Sequence, residues 1–536
     1  MFKINLNSII ILIAFMPVCM NAAMQQDNIN KSYKVLFNND TTNILTCESP
    51  YHKRGERFSE KMLLENINEV ANTGVDVFMI NPAHTWVPWW KSESYPMDEH
   101  YAWYHKKYGI MPTHPINEYV KKGNDLLQVS VDHCRKKGLS PFVTFRLNDA
   151  QLLQRRDHRP PVGAAFHFLS KFYIENVPDY CVGTALTRTE MAQNFAIKEV
   201  REQRLQFIRE IAAYDIDGIE LDFFRFQSYF KKDLPIRKRQ KIMAGFIKEI
   251  RKILDDKSSP ENRIKLAVRV PAYKELHDAV GLDLKAWEKA GVDIVIASGD
   301  YFTVYDTNIA SMIKRIPKTP VYLEMHYNTR FGKNGQGKPS FRKTTDVQYY
   351  TAAHLAYARG AAGVGVYNFQ YYRRFGEDQS LHYSEPPFHI FEHIGDKDWV
   401  AKQPQHYVLG LNWITRDYTK AMPLRFRGDR QKHVFTMDLA PPRGGWRFSG
   451  KLRISAEQNL KNSQWRLKCN GRILMPTDDY TEPYNTPYPN LLVSPSRMRA
   501  WTVPAKYLKD GMNRFELIRT TSGPISIVNF IDLAIK

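Results

Sequence analysis

Between residues 75 and 371, short apolar runs alternate with amphipathic segments, and that alternation narrows the fold more than any other feature of the chain. "VDVFMINPA", "SPFVTFRLND", "RIKLAVRVPA", "VDIVIASGDY", "TPVYLEMHYN" and "AGVGVYNFQYY" are almost continuously apolar, as strands buried on both faces are. Between them, "AIKEVREQRLQFIREIAAY" places Val200, Phe207, Ile208 and Ile211 on one helical face. With "NILTCES" (Asn43–Ser49) as first strand and "YDIDGIELDFF" as fourth, eight strand–helix units result, which predicts an α/β fold of the (β/α)8 TIM-barrel type. A doubly wound open sheet competes, but no GxGxxG follows the first strand. The connections Asn81–Ile116 and Ala150–Asn194 are long and follow C-terminal strand ends, where barrels build their sites.

The texture changes near residue 410. "HVFTMDL", "GKLRISAE", "QWRLKCNGRIL", "NRFELIRTT" and "ISIVNFIDLAI" are short extended runs between turn signals, which predicts a smaller all-β sandwich. At the other end, Lys3 precedes the apolar run Ile9–Val18, and small residues follow at Ala22 and Ala23. That is the pattern of a signal peptide. The expected organisation is a signal peptide over 1–23, a catalytic barrel over 24–410 and a sandwich over 411–536. The expected location is outside the cytoplasm, with lipid attachment at Cys19 left open, and no later run reaches transmembrane length.

The fourth strand poses the functional question. In "YDIDGIELDFFRF", Glu220 and Asp222 lie two residues apart and so point to one face, while Ile219, Leu221 and Phe223 point to the other. Burying unpaired carboxylates is expensive. At the mouth of a barrel, Asp222 would instead meet substrate and water.

"YDIDGIELDFFR" resembles the fourth-strand motif Asp-Gly-Ile-x-Leu-Asp-x-x-Arg of the family-ten-like glycosyl hydrolases, and the likeness extends best from about residue 190 to 370. "LKCNGRIL" and "VPAKYLKDGMNRFELI" resemble jelly-roll modules appended to carbohydrate-active enzymes. The resemblance implies a glycoside hydrolase with Asp222 as nucleophile. A second carboxyl is then required. The fifth strand, "LAVRVPA", departs from related barrels by offering only Arg269. Asp300 after the sixth strand, Glu324 on the seventh and Glu220 remain as candidates.

Other groups suggest substrate contacts. Arg146, Asn148, Arg225, Arg269 and His326 end strands, and arginine forks match carboxylate or sulfate. Alternatively they orient the catalytic carboxylates. Trp86, Trp89 and Trp90 in the long loop are candidates for a subsite wall, and His84 lies in the same loop. No spacing of metal ligands is present, and no cofactor is implied. The formal charge of +20 suits an anionic glycan. It suits nucleic acid too, but no recognition motif for one is found. The expected activity is therefore hydrolysis of a polysaccharide or oligosaccharide, with acidic substrates included. A non-catalytic carbohydrate-binding barrel and a polysaccharide lyase using Tyr or His as base are the alternatives.

Overall fold

The computed structural model describes residues 32–111, 114–149, 169–183, 190–225, 228–259, 262–299, 309–333, 339–374, 384–411, 422–428, 431–488 and 494–536. The signal segment, Cys19 and Asp300 lie outside the described residues.

Eight parallel strands close into a barrel in the order 1-8-7-6-5-4-3-2. They are β1 (Val35–Asn39), β2 (Val77–Ile80), β3 (Ser140–Arg146), β4 (Gly218–Asp222), β5 (Lys265–Pro271), β6 (Ile294–Ser298), β7 (Val321–His326) and β8 (Gly363–Tyr367). The first strand is a correction. Asn43–Thr46 is a short helix, and β1 lies before it. The polar run after Phe37, which resembles a turn, is strand end and barrel mouth: Asn38 and Asn39 pair with β2, and the Asn43 backbone N–H then closes a turn on the Asp40 carbonyl at 2.7 Å.

Helices Lys198–Ile211 and Ile236–Lys257 flank β4 in sequence, and Val200, Phe207, Ile208 and Ile211 are buried on the face their periodicity predicts. Inside the barrel, Leu36, Val77, Met79, Phe142, Ile294, Ile296 and Tyr322 form a separate apolar cluster that fills its floor. Each such side chain contributes roughly 1.5–3 kcal/mol by leaving water. Two glycines belong to this floor. A Cβ at Gly218 would run into the Phe142 ring, and one at Gly363 would run into the Lys34 backbone oxygen and, at 2.6 Å, the Tyr322 ring.

The C-terminal part is two antiparallel sheets. One contains β9 (Gln405–Leu409), β10 (Leu424–Phe426), β12 (Gly450–Ala456), β15 (Met475–Thr477), β16 (Met498–Val503) and β18 (Ser526–Ile535); the other orders β11 (Lys432–Leu439), β17 (Gly511–Arg519), β13 (Trp465–Cys469) and β14 (Arg472–Ile473). Phe435 stacks on Phe515 at 5.2 Å in the second sheet's buried face. The sandwich is fastened to the barrel by the His406 backbone N–H to Thr351 (2.8 Å), by Arg359 with Asp438, and by Arg342 with Glu482 at 2.9 Å. Cys47, Cys134, Cys181 and Cys469 are buried free thiols. Among the described residues no helix is long and apolar enough to cross a membrane.

The floor predicts a contrast between two glycines. Gly363→Ala should lose about 1–3 kcal/mol, because backbone cannot yield as a side-chain tip can. Gly245→Ala, in open space on helix Ile236–Lys257, should gain about 0.5–1 kcal/mol. Calorimetric melting of both variants checks this, and equal shifts would contradict it.

Candidate active site

The charged face of β4 is answered by its neighbours across the barrel. Register places Thr144 beside Glu220, and Arg146 and Arg269 on either side of Asp222. Glu220, fully buried, accepts the Thr144 hydroxyl at 2.7 Å and the Asn38 amide at 3.1 and 3.2 Å. Burial pushes its carboxyl up to about 8. The charge of Arg269 opposes that rise, and Asp222 and Glu324 reinforce it. Glu220 is thus a proton-bearing group beneath the mouth.

Above it, Arg269 joins three strands. Its Nε donates to both Glu324 oxygens (2.8 and 2.9 Å), its Nη2 to Glu324 (2.5 Å) and Ser298 (3.1 Å), and its Nη1 to Asp222 Oδ2 (3.0 Å). The other Asp222 oxygen accepts the backbone N–H groups of Phe224 and Arg225, each at 2.9 Å. Ser298 donates to Glu324 at 2.5 Å. Burial raises the Glu324 carboxyl, while Arg269 and Ser298 hold the rise back. Burial alone would discharge Arg269, but Glu324 and Asp222 more than offset it, so the guanidinium stays charged. Its plane lies over the Tyr367 ring, 4.1 Å from the centroid.

A second ionic knot stands beside the first. Arg146 pairs with Asp40 at 3.1 Å and approaches Asp149 at 3.8 Å. The Tyr367 hydroxyl accepts from Arg146 (3.1 Å) and Arg225 (3.0 Å). Burial works against the charge of Asp40, yet Arg146 and Arg225 outweigh it and hold its carboxyl far below the usual range. Tyr371 and Thr42 also donate to Asp40, at 3.1 and 2.8 Å.

Several expected substrate contacts are corrected by burial. Trp86, Trp89 and Trp90 are only 2%, 0% and 1% exposed. Their indole N–H groups donate to the Leu147 carbonyl, Asn117 and Glu210, and their rings pack on Tyr173, His114 and Phe207. They anchor the long loop and leave no ring face for a sugar. Asn148 spends its amide on the carbonyls of Gln193 and Ser228 and on the Gln193 N–H, tying two mouth loops together. His84 is buried too, and burial lowers its imidazole. It precedes a tight hairpin whose central residues Thr85 and Trp86 both have positive φ, 49° and 64°. Non-glycine residues, β-branched ones above all, adopt that conformation at a cost. The Thr85 N–H bond to Asp149 and the Trp86 packing against Arg204 hold it.

Arg146 and Arg269 are occupied by carboxylates, and Arg225 keeps a side chain 20% exposed. His326 is half-buried. Burial pushes its imidazole down to about 3, and the neutral ring donates from Nδ1 to Asn328 Oδ1 at 2.9 Å. Asp222, Glu324, Glu220, Arg225, Arg269 and His326 therefore converge, Asp300 lies outside the described residues, and the tryptophans stand apart.

Asp40, Asp149, Ser298 and Tyr367 were missed by sequence reasoning. Ser298 and Tyr367 could have been found, since each ends a strand in phase with inward-facing positions. Asp40 was hidden by the misplaced first strand.

No family model matches the chain, and no curated protein matches it. Solved structures similar to it include a class V chitinase from Pseudomonas fluorescens (10% identity, 68% of this chain and 99% of that one, TM-score 0.36). An α-L-fucosidase from Vibrio sp. is 10% identical over 95% of this chain and 97% of its own, with TM-score 0.38. Isoenzyme 2 of the Paenibacillus thiaminolyticus α-L-fucosidase is 11% identical over 71% of this chain and 51% of its own, with TM-score 0.40. At such distance the likeness carries no conclusion, and the barrel rests on its own strand order.

Glu220 gives the site a pH signature. An unfolded chain releases this proton near 4.5, whereas the fold holds it to about 8. Its stabilising contribution is complete below the lower value and is lost as pH rises through the higher one. Melting temperature should therefore decline less steeply between about pH 5 and 8 in Glu220→Gln than in the unaltered protein. Parallel curves would contradict the buried, protonated carboxyl.

Proposed function

We propose that the protein is a glycoside hydrolase in which Asp222 attacks the anomeric carbon and Glu324 serves as acid and base. The observation that carries this is the single guanidinium of Arg269 bridging two carboxyls, one at the end of β4 and one on β7. The retaining mechanism is part of the proposal: it asks for a carboxyl separation of about 5–5.5 Å, against the 6.5–9.5 Å that admits a water between the two groups, and a shared guanidinium holds both carboxyls to one side of the mouth.

The two environments differ in the way an acid–nucleophile pair requires. Asp222 meets only donors, and three of its roughly four acceptor positions are taken. Glu324 is pushed toward protonation by burial. In the first step the Asp222 oxygen bonds to the anomeric carbon, the glycosidic C–O bond breaks, and the Glu324 proton passes to the leaving oxygen. In the second, Glu324 takes a proton from water, whose oxygen replaces Asp222. Membership of the family-ten-like glycosyl hydrolases, export, and activity on an acidic glycan belong to the same proposal. Arg225, whose side chain stays 20% exposed, is the contact that would read a sugar carboxylate.

One observation favours a second reading. The Tyr367 hydroxyl sits between the guanidiniums of Arg146 and Arg225, an arrangement that would suit proton abstraction beside a uronate carboxylate. Product masses separate the two: hydrolysis adds water, and a lyase leaves an unsaturated uronate.

On a panel of neutral and acidic glycans, Asp222→Asn should lower kcat by about 10³-fold or more while glycan binding persists. Glu324→Gln should cost about 10²–10⁴-fold on native glycans and much less on aryl glycosides, whose leaving groups need no proton. Retention of most activity by Asp222→Asn would refute the assignment.

A further inference from the structure

We propose that the outer face of the β11–β17–β13–β14 sheet binds a linear carboxylated polysaccharide, at a site separate from the barrel mouth. The inward residues of this sheet, among them Phe435, Met437, Leu467, Phe515 and Leu517, are buried. The alternate residues face out. Register sets them in rows: Lys432, Ile518 and Arg466; then Val434, Glu516, Lys468 and Ile473; then Thr436 and Arg514. The last row, Asp438 and Met512, adjoins the barrel, where Arg359 takes up the Asp438 charge.

Four cations, Lys432, Arg466, Lys468 and Arg514, thus stand on the face against one remaining carboxylate, Glu516. Glu516 lies between Arg514 and Lys432, its contact with the latter being 3.8 Å. The side chains of Lys432 and Arg514 are 54% and 50% exposed, and Arg466 is exposed. Residues two apart on a strand are separated by roughly 7 Å, so the cations form a grid and not a point. A flat grid matches a polymer that carries a charge on each repeating unit better than it matches a small anion.

The same reasoning separates this face from the barrel. There, Arg146 and Arg269 are neutralised by Asp40, Asp222 and Glu324. On the sheet four cations share one carboxylate, Glu516, which pairs with Lys432 and Arg514, so the described residues leave this face a net positive charge that the two barrel arginines do not have. None of the outward positions carries an aromatic ring. Unpaired bases and neutral sugars both rely on such rings for stacking, so the face offers them little. Its apolar residues Val434, Ile473, Met512 and Ile518 are interspersed with charged ones, unlike the continuous apolar face that lies in a membrane interface.

The test titrates the full-length protein with labelled polygalacturonate at low and at physiological ionic strength, beside dextran, duplex DNA and vesicles of phosphatidylserine and phosphatidylcholine. Polygalacturonate should bind and dextran should not. The triple variant Arg466→Glu, Lys468→Glu, Arg514→Glu should weaken binding by about tenfold or more, with reduced salt dependence. A control that reverses three exposed lysines of helix Ile236–Lys257 (Lys238→Glu, Lys241→Glu, Lys248→Glu) should bind almost as the unaltered protein does. If the reversed variant does not fold, the same three positions as Gln replace it. Equal loss in the control would reduce the effect to net charge and overturn the site. So would unchanged binding in the triple variant, or tighter binding of DNA or vesicles than of polygalacturonate. The readout is binding alone, so it stands or falls independently of the barrel's activity.

Discussion

The guanidinium of Arg269 is the constraint around which the barrel mouth is arranged. Asp222 and Glu324 are nearly inaccessible to water, and ionised carboxylates in such a place are intolerable without a partner. One planar group supplies donors to both, plus one to Ser298. Such a buried network contributes little net stability compared with apolar packing, yet removing one member typically costs about 3–5 kcal/mol. That asymmetry fits the engagement of every side-chain nitrogen of Arg269 and every carboxyl oxygen of Asp222 and Glu324. Asp222 draws on two backbone N–H groups where β4 ends, so the turn leaving the strand is itself part of the charge balance.

Along the barrel axis, the environment changes in steps. The floor is apolar. Glu220 comes next, satisfied by Asn38 and Thr144 and held toward its protonated form by burial, with Asp222 and Glu324 adding to the rise that Arg269 opposes. Then come Arg269 with its two carboxylates, and beside them Arg146 with Asp40. Tyr367 links the two clusters, accepting from Arg146 and Arg225 while its ring lies against Arg269. The outcome is a site rich in charge whose charges mostly answer one another. A sugar entering such a site would meet fixed dipoles already oriented, which is how electrostatic stabilisation costs little at the moment of reaction.

How much of this was legible in the sequence depended on whether local pattern or tertiary partners decided the matter. Seven of the barrel strands and the inward pair Glu220 and Asp222 follow from strand periodicity, a local property. The first strand did not, because its polar end, Asn38 and Asn39, runs straight into the turn at Asp40–Thr42, and nothing local separates the two or reveals that they line a barrel mouth. The three tryptophans were misread for the opposite reason: an aromatic-rich loop looks the same whether its rings face a ligand or Asn117 and Glu210. For Arg146 and Arg269 the sequence left two roles open, and their bonds to Asp40, Asp222 and Glu324 favour the orienting one. Pairing between residues over a hundred positions apart, as in Arg146 with Asp40, leaves no mark on composition or spacing.

The central claim, that Asp222 forms a covalent bond to the sugar while Arg269 and Glu324 serve it, is tested most directly by trapping. A 2-deoxy-2-fluoro glycoside with an activated leaving group, chosen to match a glycan the protein cleaves, slows release of any glycosyl intermediate. Mass analysis of the peptides after incubation should then find one sugar adduct on the peptide that carries Asp222. An adduct on another residue would contradict the account, and so would cleavage of the parent glycan with inversion and no adduct.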